Sequence, residues 1–166
     1  MLRLSLRPLF VLTAALAIPL LAVDAQGPAE KKDGVKLTEE EQAIVDATNK
    51  EREQQKLAPL KPNEKLFKAA RAHSENMAKQ DKMAHELDGK NPLQRVQATG
   101  YAYAYVAENV AWNQRTAEEL LKEWMKSPHH RENILKDVFT EIGIGVARNG
   151  KGEPYYTQVF GTPRRR

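Results

Sequence analysis

The chain contains no cysteine. That absence removes disulfides, thiol nucleophiles, thiolate metal sites and thiol redox chemistry together. Any metal site must be assembled from His, Asp and Glu, and there are only four histidines. Charge of one sign is lacking as well: 26 basic residues face 22 acidic ones, for a net charge of +4. That excess is too mild to argue for nucleic acid as a partner. The familiar hydrolase and nucleotide motifs are missing: no G-x-S-x-G, no H-E-x-x-H and no glycine-rich phosphate loop. The glycines of "GIGVARNG" sit in a predicted hairpin, not in the strand-to-helix turn that a dinucleotide fingerprint requires.

What is present begins with an export signal. Arg3 and Arg7 precede an apolar run from Leu9 to Val23, and small residues at Val23-Asp24-Ala25 offer a cleavage site. The run is short for a membrane span, which needs about 20 apolar residues. Residues 1–25 therefore read as a secretory signal peptide, with an uncleaved anchor as the alternative and membrane contact expected only in that case. Residues 26–36, "QGPAEKKDGVK", read as a flexible leader. The remainder, residues 37–163, is long enough for one domain with a core large enough to dispense with disulfides. Residues 164–166 form a basic tail of three arginines.

Within the domain, Thr38 with Glu41 makes a capping box, and Ile44, Val45, Ala47 and Thr48 give a helical apolar stripe ending near Lys56. Two prolines in "LAPLKPN" stop it. Asn63 caps a second helix running to about Asp81. A loop follows, then a short helix from Pro92 to Ala98. Alternating tyrosines in "YAYAYVAENVAW" suggest a strand. Thr116 with Glu119 is a second capping box, and Ser127-Pro128 ends that helix. "HHRENIL" reads as one further helical turn. "EIGIGVARNG" and "PYYTQVFG" read as two strands of a hairpin. This order predicts an α+β layered domain.

The candidate chemistry is polar and sparse. His85 lies in a turn-rich loop, off any apolar stripe. His73 lies near the apolar stripe of its helix and reads as a packed, hydrogen-bonded residue. Glu108 stands among small and apolar residues, where a charge is costly unless paired. That context favours a carboxylate facing a cleft over one on a surface turn. Asn109 beside it can brace a loop. His129 and His130 are adjacent, so on a helical turn they diverge by about 100° and do not share a site. Spacing does not choose between them. Arg131 and Asn133 read as structural.

Six stretches in order, "LFKAARAHSENMA", "MAHE", "GYAYAYVAENVAW", "ELLKEWMKSPHHRENIL", "FTEIGIGVA" and "YYTQVFG", resemble the CAP superfamily of cysteine-rich secretory proteins, antigen 5 and pathogenesis-related proteins. The likeness is greatest to its cysteine-free bacterial SCP-like branch and covers about residues 40–161. It implies an α-β-α sandwich with a small antiparallel sheet between helical layers. It also implies a cleft of two histidines and two glutamates that in some members binds zinc or another divalent cation. His85 matches the first histidine and Glu108 the glutamate of "GEN", with Ala107 in place of glycine. The second glutamate falls on Ser127 and the second histidine on Tyr155, so half of that tetrad is missing. The bacterial "SPGHR" becomes "SPHHR". His130 takes the place of that histidine and His129 the place of the glycine, which matters if the backbone there needs a positive φ.

These assignments imply a shared cleft of His85, Glu108 and His130, with His85 and His130 as the metal ligands for Zn²⁺ or another divalent cation. The leading expectation is a monomeric binding module, secreted or periplasmic, that takes a small-molecule, lipid or cell-envelope ligand. One alternative is a hydrolase in which a cation held by His85 and His130 acidifies water and Glu108 acts as base. Another is a lipid or sterol carrier with a pocket lined by Tyr101, Tyr103, Tyr105, Trp112 and Trp124; the competing reading makes those aromatics core.

Overall fold

The computed structural model of the chain describes residues 35–164. The expected signal peptide, nearly all of the leader and the last two arginines lie outside the described residues. Nine elements follow one another: α1 (Glu39–Gln54), β1 (Lys61–Pro62), α2 (Glu64–Gln80), α3 (Pro92–Ala98), β2 (Tyr103–Trp112), α4 (Ala117–Lys126), α5 (Pro128–Leu135), β3 (Glu141–Arg148) and β4 (Pro154–Pro163). The four strands form one sheet in the order β1-β3-β4-β2. β2, β4 and β3 run antiparallel, with Glu108 opposite Val159 and Asn109 opposite Gln158. The two-residue β1 pairs parallel with the start of β3. It is the one departure from an all-antiparallel sheet, and two residues, one of them a proline, carry no alternation that would announce them.

The helix boundaries follow local chemistry. Thr38 and Glu41 form the reciprocal capping box of α1, and Asn63 accepts the first amides of α2. α2 ends at Asp81 in the left-handed region. Thr116 accepts the amide of Glu119, but the Glu119 carboxylate takes the Arg115 amide, so the second box closes on the neighbouring residue. α5 is longer than one turn. Its start at Pro128 uses a residue that has no amide to satisfy. His129 is helical and not among the positive-φ residues, so replacing glycine there introduces no backbone strain.

The sheet is covered on both faces. Along β3, Ile142 and Ile144 join the core under α1 and α4 with Trp124, Tyr156 and Phe160. The alternate residues, Gly143 and Gly145, face α2. A Cβ on Gly143 would lie 2.1 Å from the Leu66 carbonyl carbon, and one on Gly145 would lie 2.3 Å from that of Ala70. The "GIG" spacing therefore lets the backbone of α2 rest on the sheet itself, a contact only glycine permits. Ser74 completes it, donating to the Gly145 carbonyl while contacting Thr157.

Arg52 holds the opposite layer. Its buried guanidinium, on the last turn of α1, donates to the carbonyls of Ala58, Ile134, Lys136 and Phe139. One cation thus satisfies the end of α5 and the chain leaving it.

Gly145→Ala should destabilise the domain by about 2 kcal/mol or more, because α2 backbone cannot yield as a flexible side chain would. Urea unfolding of this variant beside an exposed control, Gly150→Ala, which meets nothing within 4 Å, checks it. Equal midpoints would contradict the close-packing account.

Candidate functional site

Glu108 is the hub. It sits midway along β2, an outer strand, and its side chain is 2% exposed. Directly opposed residues on antiparallel strands share a face, so Glu108 points with Val159 toward α2, and Asn109 points with Gln158 toward α5. Three cationic or titratable groups converge on the Glu108 carboxylate. Arg95 of α3 donates through Nη2 to Oε1 at 3.0 Å and Oε2 at 2.8 Å. His85 Nδ1 lies 3.0 Å from Oε1. His73 Nε2 lies 3.9 Å from Oε1 and 2.8 Å from the Ala84 carbonyl, to which it donates. A buried carboxylate is tolerable only with such partners.

The same groups fix the loop that carries His85. Arg95 also reaches the carbonyls of His85 and Lys90, at 2.8 and 2.7 Å. His73 ties Ala84 to α2. Because Glu108 accepts at Nδ1, that nitrogen carries the proton and Nε2 of His85 is the free lone pair, on a side chain that is half exposed.

His130 comes from the other face of the sheet. Its carbonyl accepts from Asn109 Nδ2 at 3.2 Å, and Asn109 in turn meets Gln158 and Asn133. Asn133 reaches the Glu108 carbonyl, so α5 is stitched to the outer edge of β2 on both sides of the Glu108-Asn109 pair. The His130 ring stands edge-on to Trp124 at 6.5 Å between centroids. Burial pushes its pKa below the ordinary imidazole value, and a proton on His85 or His129 would push it the same way. His130 is therefore held neutral, a state that suits a ligand or a base. His129 is exposed.

The three expected residues thus gather around one strand edge in unequal ways. His85 and Glu108 touch directly. His130 is joined to them through Asn109 and Asn133, not by a hydrogen bond of its own ring. Among the described residues, no group of three or more His, Asp or Glu side chains is gathered closely enough to hold a metal ion. Ser127 is half-buried at the junction of α4 and α5 and makes no side-chain cap bond. Tyr155 is buried with Met77, Leu87 and Val110, its ring tilted against Trp112. Of the tyrosines and tryptophans, Tyr101 and Trp124 are core, while Tyr105 and Trp112 are exposed, so they do not line one pocket. Arg95 and His73 escaped the sequence reading as site residues. The signal for Arg95 was the unpaired acid itself: a carboxylate in an apolar run demands a cation.

An α-β-α sandwich whose edge strand carries a carboxylate paired with a loop histidine is the class this geometry defines. The chain belongs to the cysteine-rich secretory protein (CAP) family, whose profile matches residues 45–160. It is 39% identical to the Bacillus subtilis protein YkwD over 121 residues, covering 72% of this chain and 46% of YkwD. It is 30% identical to the Bacillus subtilis membrane protein YlbC over 132 residues, 79% of this chain and 36% of YlbC. The chain thus spans less than half the length of these relatives. Among solved structures, an extracellular SCP-domain protein from Bacillus anthracis superposes with a TM-score of 0.68 at 26% identity, over 77% of this chain and 45% of that one. An outer surface protein of Borrelia burgdorferi reaches 0.73 at 18% identity, over 78% and 97%, a likeness of fold. Among the described residues, no helix is long and apolar enough to cross a membrane.

Two outcomes follow from the geometry. Arg95→Ala leaves Glu108 buried without its cation and should cost about 3–5 kcal/mol; adding Glu108→Gln should recover part of that loss in a double-mutant cycle of urea midpoints. Both His73 and His130 have pKa values lowered chiefly by burial, His73 also by Arg95 and His85 against the opposing pull of Glu108 and the Ala84 carbonyl. The unfolded chain then binds more protons, so stability is full above about pH 6.5 and falls as pH drops below it. Urea midpoints between pH 8 and pH 5 should show this decline, and His73→Asn should flatten it.

Proposed function

We propose that this chain is a binding module working outside the cytoplasm, whose cleft at the β2 edge takes a divalent cation such as Zn²⁺ between His85 and His130. The observation that carries the reading is the His85-Glu108 contact. A carboxylate that accepts the proton of one ring nitrogen fixes the tautomer and leaves the other nitrogen free to ligate, the arrangement found behind metal-binding histidines. His130, held neutral by burial, supplies the second imidazole. Two imidazoles without a third protein ligand suit a weak or exchangeable ion completed by water or by an outside ligand. A bound cation there would supply Lewis acidity and lower the pKa of a coordinated water.

Binding is favoured over hydrolysis by the state of Glu108. A general base needs access to water, but this carboxylate is 2% exposed and both its oxygens are engaged by Arg95. Its role in this reading is to orient His85. Location outside the cytoplasm is supported by the signal-like residues 1–25 and by the extracellular and outer-surface descriptions of the Bacillus anthracis and Borrelia proteins.

Calorimetric titration of metal-free protein with Zn²⁺ tests the cleft. Wild type should bind one equivalent. His85→Ala and His130→Ala should each weaken binding at least about 10-fold, and Glu108→Gln by about 10- to 100-fold through loss of the orienting bond. Identical isotherms in all four proteins, or no heat in wild type, would remove the cation from this account.

A further inference from the structure

β2 lies at the edge of the sheet, bonded only to β4. Hydrogen bonds on both sides fix the direction of its main-chain groups. The Asn113 amide donates to the Pro154 carbonyl at 2.8 Å, so that pair bonds across β2 and β4. Bonded and non-bonded pairs alternate along an antiparallel ladder. Asn109 and Ala107 therefore bond β4 as Asn113 does, while Val106, Glu108 and Val110 turn their N–H and C=O off the sheet. The neighbouring bonds agree. The Gly161 carbonyl, opposite Val106, accepts from Thr140 on the β3 side. The Glu108 and Val110 carbonyls accept from Asn133 Nδ2 and Trp124 Nε1, which stand beyond the edge.

Those two side chains close the edge at Glu108 and Val110, which are buried. Val106 has no such cover. Among the described residues, neither its N–H nor its C=O has a partner. Ala104 and Tyr105 before it are exposed, and Val106 and Ala107 are half-buried. Sheets commonly guard an open edge with lysine, proline or an inward charge. Residues 101–107 read "YAYAYVA" and contain none of these. The one guard is the irregularity between Tyr103 and Tyr105, which confines regular pairing to the residues after it. Beside the open pair of groups stands the Tyr105 side chain, 56% exposed.

A free donor and a free acceptor on one strand residue match those of another extended backbone. A second copy of the chain does not suit this edge. Antiparallel pairing of two copies centred on Val106 would set Ala104 of each against Glu108 of the other, where Asn133 already stands. A slim segment that pairs over residues 105–107 and then leaves the edge avoids that obstacle. We infer that residues 105–107 of β2 bind an extended peptide segment as a short added strand, Val106 exchanging both bonds with one residue of the occupant. One exchanged pair and one aromatic contact make a weak, reversible site. Glu108 lies two residues, about 7 Å, further along the strand, so the occupant's next residues reach the cleft of His85 and His130 and can supply the outside ligand of its cation. That last link rests on the cation reading; the strand pairing does not.

Amide hydrogen exchange of the full-length protein, with and without an acetylated, amidated pentapeptide of alternating threonine and valine, tests the pairing. EDTA in every sample keeps the result independent of the cation. In the free protein the Val106 amide should exchange at least about 10-fold faster than that of Ala107, which is bonded to β4. Saturating peptide should slow Val106 about 10-fold or more and leave Ala107 unchanged. The same peptide with every amide N-methylated keeps its side chains, lacks donors and should protect nothing. Val106→Pro removes an outward amide and no ladder bond. Ala104→Lys guards the edge at an exposed position. Each should weaken binding, read from amide NMR shifts, about 10-fold; if Val106→Pro does not fold, Ala104→Lys decides alone. Val106 exchanging as slowly as Ala107 in the free protein, no protection by the peptide, equal protection by its N-methylated form, or unchanged affinity in Ala104→Lys would each overturn the inference. So would a concentration-dependent dimer dispersed by Ala104→Lys, which would give the edge to a second copy.

Discussion

A negative charge buried midway along an outer strand dictates how the surrounding chain is arranged. Glu108 cannot be left bare in an apolar run, because moving an unpaired carboxylate out of water costs several kcal/mol. Its compensation comes from three separate segments. α3 supplies Arg95, the loop after α2 supplies His85, and α2 supplies His73. Two of these partners are anchored again, Arg95 to the carbonyls of His85 and Lys90, His73 to that of Ala84. The loop carrying the exposed imidazole is held at both ends by groups packed around the acid, with Arg95 supplying the charge that neutralises it. The site and its scaffold are thus one hydrogen-bonded unit.

That unit needs α2 close to the sheet, and Gly143 and Gly145 allow it. With side chains there, α2 would be lifted off β3, and His73 would be withdrawn from Glu108. On the other face the buried amide chain Thr48-Gln158-Asn109-Asn133 connects α1, β4, β2 and α5. It sets His130 at the strand edge by its carbonyl, while Arg52 fixes the far end of α5. Polar groups in both layers therefore specify position, and the apolar clusters around them supply the driving force for burial.

Much of the architecture was readable one element at a time. Thr38 and Asn63 announce helix starts because capping is decided by the side chain and the few amides beside it, whereas Pro128, read only as the end of α4, also opens α5. The hairpin of β3 and β4 follows from two apolar runs about a glycine-rich turn. β1 was not readable, since two residues show no period. The capping partner of Glu119 was also misplaced by one amide, a choice that depends on loop geometry. At the site, His85, Glu108 and His130 were picked out with the help of family likeness. Arg95 was not, because thirteen residues and a turn separate it from the acid it neutralises.

By itself the sequence determined the helices, the hairpin, the cysteine-free chemistry and the need of Glu108 for a partner, since each rests on neighbours within a few residues. Only the tertiary structure decided which cation met that need, which ring nitrogen of His85 was left free, and that His130 arrives from the opposite face of the sheet. Those outcomes depend on distances between segments far apart in the chain, and such distances exist only once α2 has settled onto the glycines of β3.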